Sequence, residues 1–471
     1  MKVLFAHSFF LAFDEKQRLA GQPYPPLGTI IAAAMAREAG HQVGLFDAMV
    51  APDESAFAAR LSESWDVVVF FEDNFNWLSK MCLDRMRAAC LHMIAAARAQ
   101  KLLIAVAGSD ASDFPEKFLE AGADYVVKGE AEFRMLELLD HHRTGNTEPF
   151  TAPGVFRLEQ ATLAGVPAQR GERDLSRFSG PAWDLVNLEP YRQSWQKAKG
   201  YFSMNMMTTR GCPYRCNWCA KPIHGRRYDV RGADQVAEEL ALLKGTYGAQ
   251  HIWFTDDIFG LKPGWLKRFA EAVKEQDAVL RYTIQARADL VDDTFVTALL
   301  ATGCKTVWMG VESGSQKVLD AMDKDLPLSK TFAATRLLQA AGIEVCFFLQ
   351  FGYPGEEAED ISATWQMVKE LRPDHIGISV AYPLPGTPFF EKVADQLGPE
   401  DHWEHSHHMR PIHRASFPAD FYPLLYDYFH QNFRLLHKST RPGLRGLKDI
   451  LIRKRTELKL RKFGFAGVPF P

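Results

Sequence analysis

Cys212, Cys216 and Cys219 stand in one run, Thr208-Thr209-Arg210-Gly211-Cys212-Pro213-Tyr214-Arg215-Cys216-Asn217-Trp218-Cys219, directly behind the apolar stretch 202–207. A strand that ends in three closely spaced thiols constrains this chain more than any other feature. Iron–sulfur clusters are closed by protein thiolates, usually four, so three leave one iron of a four-iron cluster open to a ligand. Open metal sites react, whereas closed ones staple folds. Two other readings fit the spacing: zinc, with His224 as fourth ligand, and plain buried thiols. Gly211 and Pro213 suit a loop in which backbone comes close to sulfur. The carboxyl end of a strand is also where barrel enzymes keep their chemistry.

The chain has 471 residues, enough for two or three domains, and its 47% hydrophobic and 24% charged content supports a large core. A net charge of −3 gives no global pull toward nucleic acid or membrane. Cys82, Cys90, Cys304 and Cys346 are scattered through apolar periodic segments, which argues against a disulfide framework and for a reducing, cytoplasmic setting. The opening Met1–Ala6 is too soon broken by polar residues to act as a signal peptide. No apolar run reaches the ~20 residues of a spanning helix.

Two series of alternating strands and helices flank an irregular stretch. The first occupies residues 1–142, with strands expected at Lys2–Phe5, Gln42–Phe46, Val67–Phe71, Leu102–Ala107 and Tyr125–Val127. This pattern predicts a doubly wound, Rossmann-like parallel sheet that binds ligands at its carboxyl strand ends. Residues 143–200 read as a connecting segment with a short hairpin around Gly154–Arg157. The second series, residues 201–397, has strand ends at the cysteines, Asp256, Arg287, Glu312, Tyr353 and near Pro383. Six such units predict a partial (β/α)6 barrel of the TIM type. Residues 398–471 form a helical C-terminal extension.

The C-x3-C-x2-C spacing, with Trp218 before the last cysteine, resembles the signature of the radical S-adenosylmethionine (SAM) enzymes. In that family the cluster is [4Fe-4S], and its open iron chelates the amino and carboxylate groups of SAM. Once reduced, it cleaves SAM to a 5′-deoxyadenosyl radical. The resemblance implies cluster ligation, and with it catalysis, by Cys212, Cys216 and Cys219. Gly310-Val311-Glu312-Ser313-Gly314 is similar to the family's SAM-binding strand end, where Glu meets the ribose hydroxyls and Ser the amino-acid part. Arg287 offers a planar fork for the SAM carboxylate, or pairs with Glu312 or Asp257. Of Asp256 and Asp257, one caps the next helix and the other points into the barrel mouth. Asp257 and Gly310 therefore join the SAM set.

The first series resembles the cobalamin-binding domain that precedes the barrel in many radical SAM enzymes. The matching residues are Tyr24-Pro25-Pro26-Leu27-Gly28, Gly40-His41-Gln42-Val43 with Asp47, Gly108-Ser109-Asp110 and Gly129-Glu130-Ala131-Glu132. Gly28, Asp47, Gly108, Ser109, Gly129 and Glu130 become the cobalamin set, small residues allowing close approach of a corrin. The Asp-x-His-x-x-Gly motif that supplies a cobalt-ligating histidine elsewhere is absent. Methylthiotransferases carry a second cluster ahead of the barrel, but the first 200 residues here hold only Cys82 and Cys90.

The resemblance implies a small-molecule substrate, a reductant such as flavodoxin or ferredoxin, and no nucleic acid. It implies methylation of an unactivated carbon on a small-molecule, lipid or tetrapyrrole-type substrate. Alternatives are oxidative cyclisation or rearrangement, as in the anaerobic porphyrin-ring cyclase, a non-catalytic iron–sulfur or corrin sensor, and a zinc scaffold. In the tail, His402, Glu404, His405, His407, His408 and His413 read as a solvent-facing loop more readily than a metal site. The basic helix that follows reads as a solvated face or as a peripheral contact with anionic lipid. Phe463, Phe465 and Phe470 are expected to dock on the body.

Overall fold

The computed structural model describes residues 1–75, 83–168, 171–219, 223–398, 407–437 and 444–467. Cys82, His402, Glu404, His405 and Phe470 lie outside them.

The first sheet contains β1 (Lys2–Ala6), β2 (Gln42–Phe46), β3 (Val67–Phe71), β4 (Leu103–Ala107) and β5 (Tyr125–Val127), all parallel, in the order β2-β1-β3-β4-β5. Helices cover both faces, so the central strands are apolar throughout: all five residues of β3, Val-Val-Val-Phe-Phe, are buried. The chain order reverses between β1 and β3, which opens a crevice beyond their carboxyl ends. The hairpin β6 (Val155–Glu159) and β7 (Thr162–Gly165) pairs antiparallel onto β5, so the connecting segment contributes to this sheet.

The second sheet is fully parallel and runs in chain order: β8 (Ser203–Met206), β11 (His251–Phe254), β12 (Arg281–Ala286), β13 (Cys304–Glu312), β14 (Glu344–Phe351) and β15 (His375–Val380). Between β8 and β11 lies the small antiparallel pair β9 (Thr209–Arg210) and β10 (Asp229–Val230). β8 and β15 do not pair, so the sheet is an open half-barrel. Its β8 edge is covered from the first domain. The Tyr24 hydroxyl lies 3.1 Å from Ser203 Oγ, and Asn205 Nδ2 donates to Pro25 O at 3.0 Å. The helix Phe421–His437 packs on the outer side, where Phe429 meets Phe351 at 4.8 Å and Trp365 at 5.6 Å.

In the tail, His413 is buried, with Nε2 3.0 Å from Gly352 O, and is no part of a solvent-facing loop. Phe463 and Phe465 both dock on Phe421. Among the described residues no helix is long and apolar enough to cross a membrane.

Candidate active site

The cysteine loop leaves β9 at the carboxyl end of the half-barrel. Cys212 and Cys216 are buried and Cys219 is half-buried. No three His, Cys, Asp or Glu side chains among the described residues converge as a ready-made metal site, the cysteines included. The donor set nonetheless fits a cluster that organises its own ligands, with three thiols on one loop and its neighbours pinned. Gly211 has φ +82°, and a Cβ there would meet Arg227 O at 2.4 Å. The close approach that needs this glycine is thus to backbone, not to sulfur.

Asn217, between the second and third cysteines, anchors the loop. Its Nδ2 donates to Ala321 O and Asp323 Oδ2, both at 2.9 Å, and its Oδ1 accepts the Tyr353 hydroxyl at 3.0 Å. Its backbone N–H donates to Met322 O, and its carbonyl accepts from Phe389 N, both at 3.0 Å. The start of the loop hangs from β11. The buried Asp256 accepts from Thr208 N, Thr208 Oγ1 and Thr209 N at 2.7, 2.5 and 2.8 Å. Burial still pushes its carboxyl up to about 6. Asp256 thus holds the cysteine loop and does not cap the next helix, Trp265–Glu275, whose N-cap is Gly264, and Asp257 is exposed.

Arg287, at the end of β12, pairs with neither Glu312 nor Asp257. Its Nε lies 3.0 Å from Asp289 Oδ1, and Nη1 and Nη2 donate to Lys324 O and Asp325 O at 3.0 and 2.9 Å. Its guanidinium stacks over the Tyr214 ring at 3.7 Å, bracing the cysteine loop from below.

Glu312 ends β13 in the left-handed region, φ 63°, where the register to β14 shifts. That conformation is costly for a side chain with a Cβ and clusters at functional sites. Its buried carboxylate accepts from Lys324 Nζ at 2.9 Å. A Cβ on Gly310 would lie 2.8 Å from both Glu312 Oε1 and Lys324 Nζ, so this glycine makes room for the pair. Gly314 instead lets the helix Ala358–Leu371 approach, since its Cβ would meet Thr364 Cα at 2.6 Å. Ser313 is fully buried; its Oγ accepts from Ser315 N at 3.1 Å and lies 3.2 Å from Thr364 Oγ1.

The carboxyl edge of the first sheet gathers the other set. Asp47 Oδ1 is 3.1 Å from His7 Nε2, and its Oδ2 accepts the Tyr191 hydroxyl at 2.7 Å. Asp73 Oδ1 accepts from Gly28 N at 2.9 Å. Gly108 is packed against Glu72, whose Cβ would stand 2.7 Å from an added one, whereas the space around Gly129 is open to 3.9 Å. Asp73 Oδ2, Asn74 Oδ1 and Ser109 Oγ are buried at this edge without a hydrogen-bond partner. A bound group rich in amides, as a corrin is, would satisfy such atoms.

Glu130 joins the two halves. It accepts from Arg210 Nη1 at 2.5 Å and from Arg227 Nη2 at 2.7 Å, and His224 Nδ1 is 3.6 Å away. Arg210 is wholly buried between Glu130, Glu132 and the Phe178 ring. Burial opposes ionisation of the Glu130 carboxyl, but His224 and the Arg210 cation beside it hold it down at about 2. His224 stacks on Phe75, just beyond the carboxyl end of the first domain's β3, with ring centroids 5.6 Å apart.

Residues 206–368 match the family model of the Radical SAM superfamily, and residues 18–139 match that of the B12 binding domain. The chain belongs to the radical SAM enzymes that carry a B12-binding domain. The enzyme is 26% identical over 385 residues to an uncharacterized methyltransferase of Pyrococcus horikoshii, covering 81% of each chain. It is 27% identical over 386 residues to the hopanoid C-3 methylase of Methylococcus capsulatus, covering 80% of this chain and 70% of that one. Its fold superposes on the radical SAM methyltransferase TsrM of Kitasatospora setae, solved with cobalamin and a [4Fe-4S] cluster, with a TM-score of 0.69. That match has 19% identity and covers 84% of this chain and 76% of that one.

Sequence reasoning missed Asn217, Lys324 and Arg210. Arg210, two residues before Cys212, is a charge close behind the apolar stretch 202–207, and that signal was available. The partners of Asn217 and Lys324 depend on tertiary contacts with no sequence period.

Proposed function

We propose that the enzyme methylates an unactivated carbon of a small-molecule substrate, of lipid or tetrapyrrole type, using SAM and cobalamin. Cys212, Cys216 and Cys219 would hold the [4Fe-4S] cluster, which when bound and reduced supplies the electron that cleaves SAM. Cobalamin, when bound, supplies the methyl carrier. Glu312, Ser313, Arg287, Asp257 and Gly310 form the SAM set: Glu312 presents a carboxylate to ribose hydroxyls, while Arg287 positions the loop through Tyr214. Gly28, Asp47, Gly108, Ser109, Gly129 and Glu130 border the corrin. We assign the cobalamin-type domain to 1–142, the connector to 143–200, the barrel to 201–397 and the helical extension to 398–471. The electron donor is of the flavodoxin or ferredoxin class, and the setting is cytoplasmic.

The observation that supports this reading best is the joint at Glu130. One carboxylate from the carboxyl edge of the first sheet holds arginines on both sides of the cysteine loop, which ties the proposed corrin edge to the cluster loop. The protein's own work there is orientation and exclusion of water. Anaerobic purification with cobalamin supplied, followed by metal analysis and reduction with SAM, tests it. About four irons and about one cobalt per chain, with 5′-deoxyadenosine formed, are expected. Iron without cobalt removes the methyl carrier, and no 5′-deoxyadenosine removes the radical chemistry.

A further inference from the structure

The last described helix, Leu444–Arg461, is built inside out. Arg453 and Thr456 are buried, at 4% and 8% exposure, while Leu451 and Leu458 stand out at 68% and 62% and Ile452 at 41%. The inward face is well explained. Arg453 Nε donates to Asn432 Oδ1 at 2.6 Å and Nη2 to the Tyr428 hydroxyl at 2.9 Å, both on the neighbouring helix Phe421–His437. Leu460 fills the same interface, fully buried. Among the described residues the outward leucines have no such partner.

At about 100° per residue, Leu451, Leu458 and Lys462 fall on one stripe. Arg455 and Lys459 flank it on one side, Lys454 and Arg461 on the other, and all five of these basic residues are exposed. Between Ile450 and Lys462 the sole acid, Glu457, is taken up by Arg453 and Arg461 at 2.9 and 2.7 Å. The face is therefore apolar at its centre and cationic on both margins. Elsewhere exposed arginines such as Arg37, Arg98 and Arg336 pair with acids, and the net charge of the chain is −3, so this concentration is local.

We propose that this face seats the enzyme on an anionic membrane surface. Leucines at the centre enter the boundary between headgroups and acyl chains, and the lysine and arginine stems lie along it with their charges at the phosphates. A second copy of the chain is a poor occupant, because a symmetric contact sets ten like charges around two leucine pairs. A nucleic-acid backbone would leave the leucines in water.

The test is sedimentation of the full-length, anaerobically purified protein with vesicles of equal parts phosphatidylglycerol and phosphatidylcholine. The protein is expected to pellet with these vesicles, less so as salt rises, and to stay in solution with pure phosphatidylcholine. The double variant Leu451→Glu/Leu458→Glu should lower the bound fraction about tenfold or more, with its melting temperature kept. Arg455→Glu/Lys462→Glu should remove the salt-sensitive part. Failure of the wild type to pellet, or equal pelleting of the leucine variant, overturns the proposal. So does a dimer in solution that the leucine variant splits. Iron content and 5′-deoxyadenosine formation should be unchanged in both variants, so the outcome is separate from that of the cofactor chemistry.

Discussion

Asn217 Oδ1 accepts the Tyr353 hydroxyl at 3.0 Å, which ties the middle of the cysteine run to the end of β14, across the half-barrel from the strand that launches it. With its bonds to Ala321, Met322, Asp323 and Phe389, this one residue fixes the loop against three separate segments. A loop that must hold a cluster while one iron exchanges ligands needs such support, because the thiols themselves supply little rigidity.

Asn217→Ala should therefore release the loop while leaving all three thiols. Iron retained after reconstitution and desalting is expected to fall several-fold, and 5′-deoxyadenosine formation about tenfold or more. Tyr353→Phe removes a single hydrogen bond and should cost about 1 kcal/mol of stability with iron retained. Equal iron content in Asn217→Ala and the wild type would show that the loop holds itself.

The pair Glu312–Lys324 makes a second test. Lys324→Met leaves a buried carboxylate without its cation and should destabilise the fold by about 3–5 kcal/mol in urea titrations. Glu312→Gln keeps the shape and removes the charge. It is expected to weaken SAM binding by about tenfold, read by equilibrium dialysis, with iron content unchanged. Gly310→Ala should act like a mild Glu312 variant, since its methyl would stand 2.8 Å from both partners. Unaltered SAM affinity in Glu312→Gln would take Glu312 out of the SAM site.

Much of this was legible in the sequence, for identifiable reasons. The strands of both sheets are short apolar runs with turns at their ends, so period and punctuation located them, and six strand ends, five of them with polar tips, marked the mouth of the half-barrel. What stayed hidden were pairings across long sequence separations. For Arg287 the sequence offered the SAM carboxylate, Glu312 or Asp257, yet its side-chain partner is Asp289, two residues on. Glu130 sat in a Gly-Glu-Ala-Glu turn that suggested a ligand edge, yet its carboxylate meets arginines 80 and 97 residues away. The glycines of the β13 end were legible as parts of a SAM-binding strand end, but not that Gly310 makes room for a lysine and Gly314 for a helix.

That joint gives a third prediction. Glu130→Ala leaves Arg210 buried with only Glu132 as counter-charge and should cost about 3–5 kcal/mol. Glu130→Gln keeps hydrogen-bonding capacity and should cost less. If the joint also orients the two halves, Glu130→Gln will bind iron and cobalt normally and still form 5′-deoxyadenosine, while product formation drops relative to it. Parallel losses in both would reduce Glu130 to a folding role.

The last prediction concerns pH. Glu356 is buried, its Oε2 accepting from Gly352 N at 2.7 Å, and its Oε1 has no hydrogen-bond partner. Burial raises its carboxyl from an ordinary value to about 8. In the unfolded chain the same group ionises at its ordinary value, near 4.5. Between these values the folded protein binds the extra proton, so stability falls as pH rises, by at most about 1.4 kcal/mol per unit for this group. Below the window both states are protonated and above it both are ionised, so the contribution levels off on either side. Glu356→Gln is neutral throughout and should flatten the curve. Its gain over the wild type should be small near about pH 5 and largest at about pH 8 and above, read from urea midpoints across the range. Parallel pH curves for the two proteins would show that the Glu356 carboxyl ionises in the fold much as it does in water.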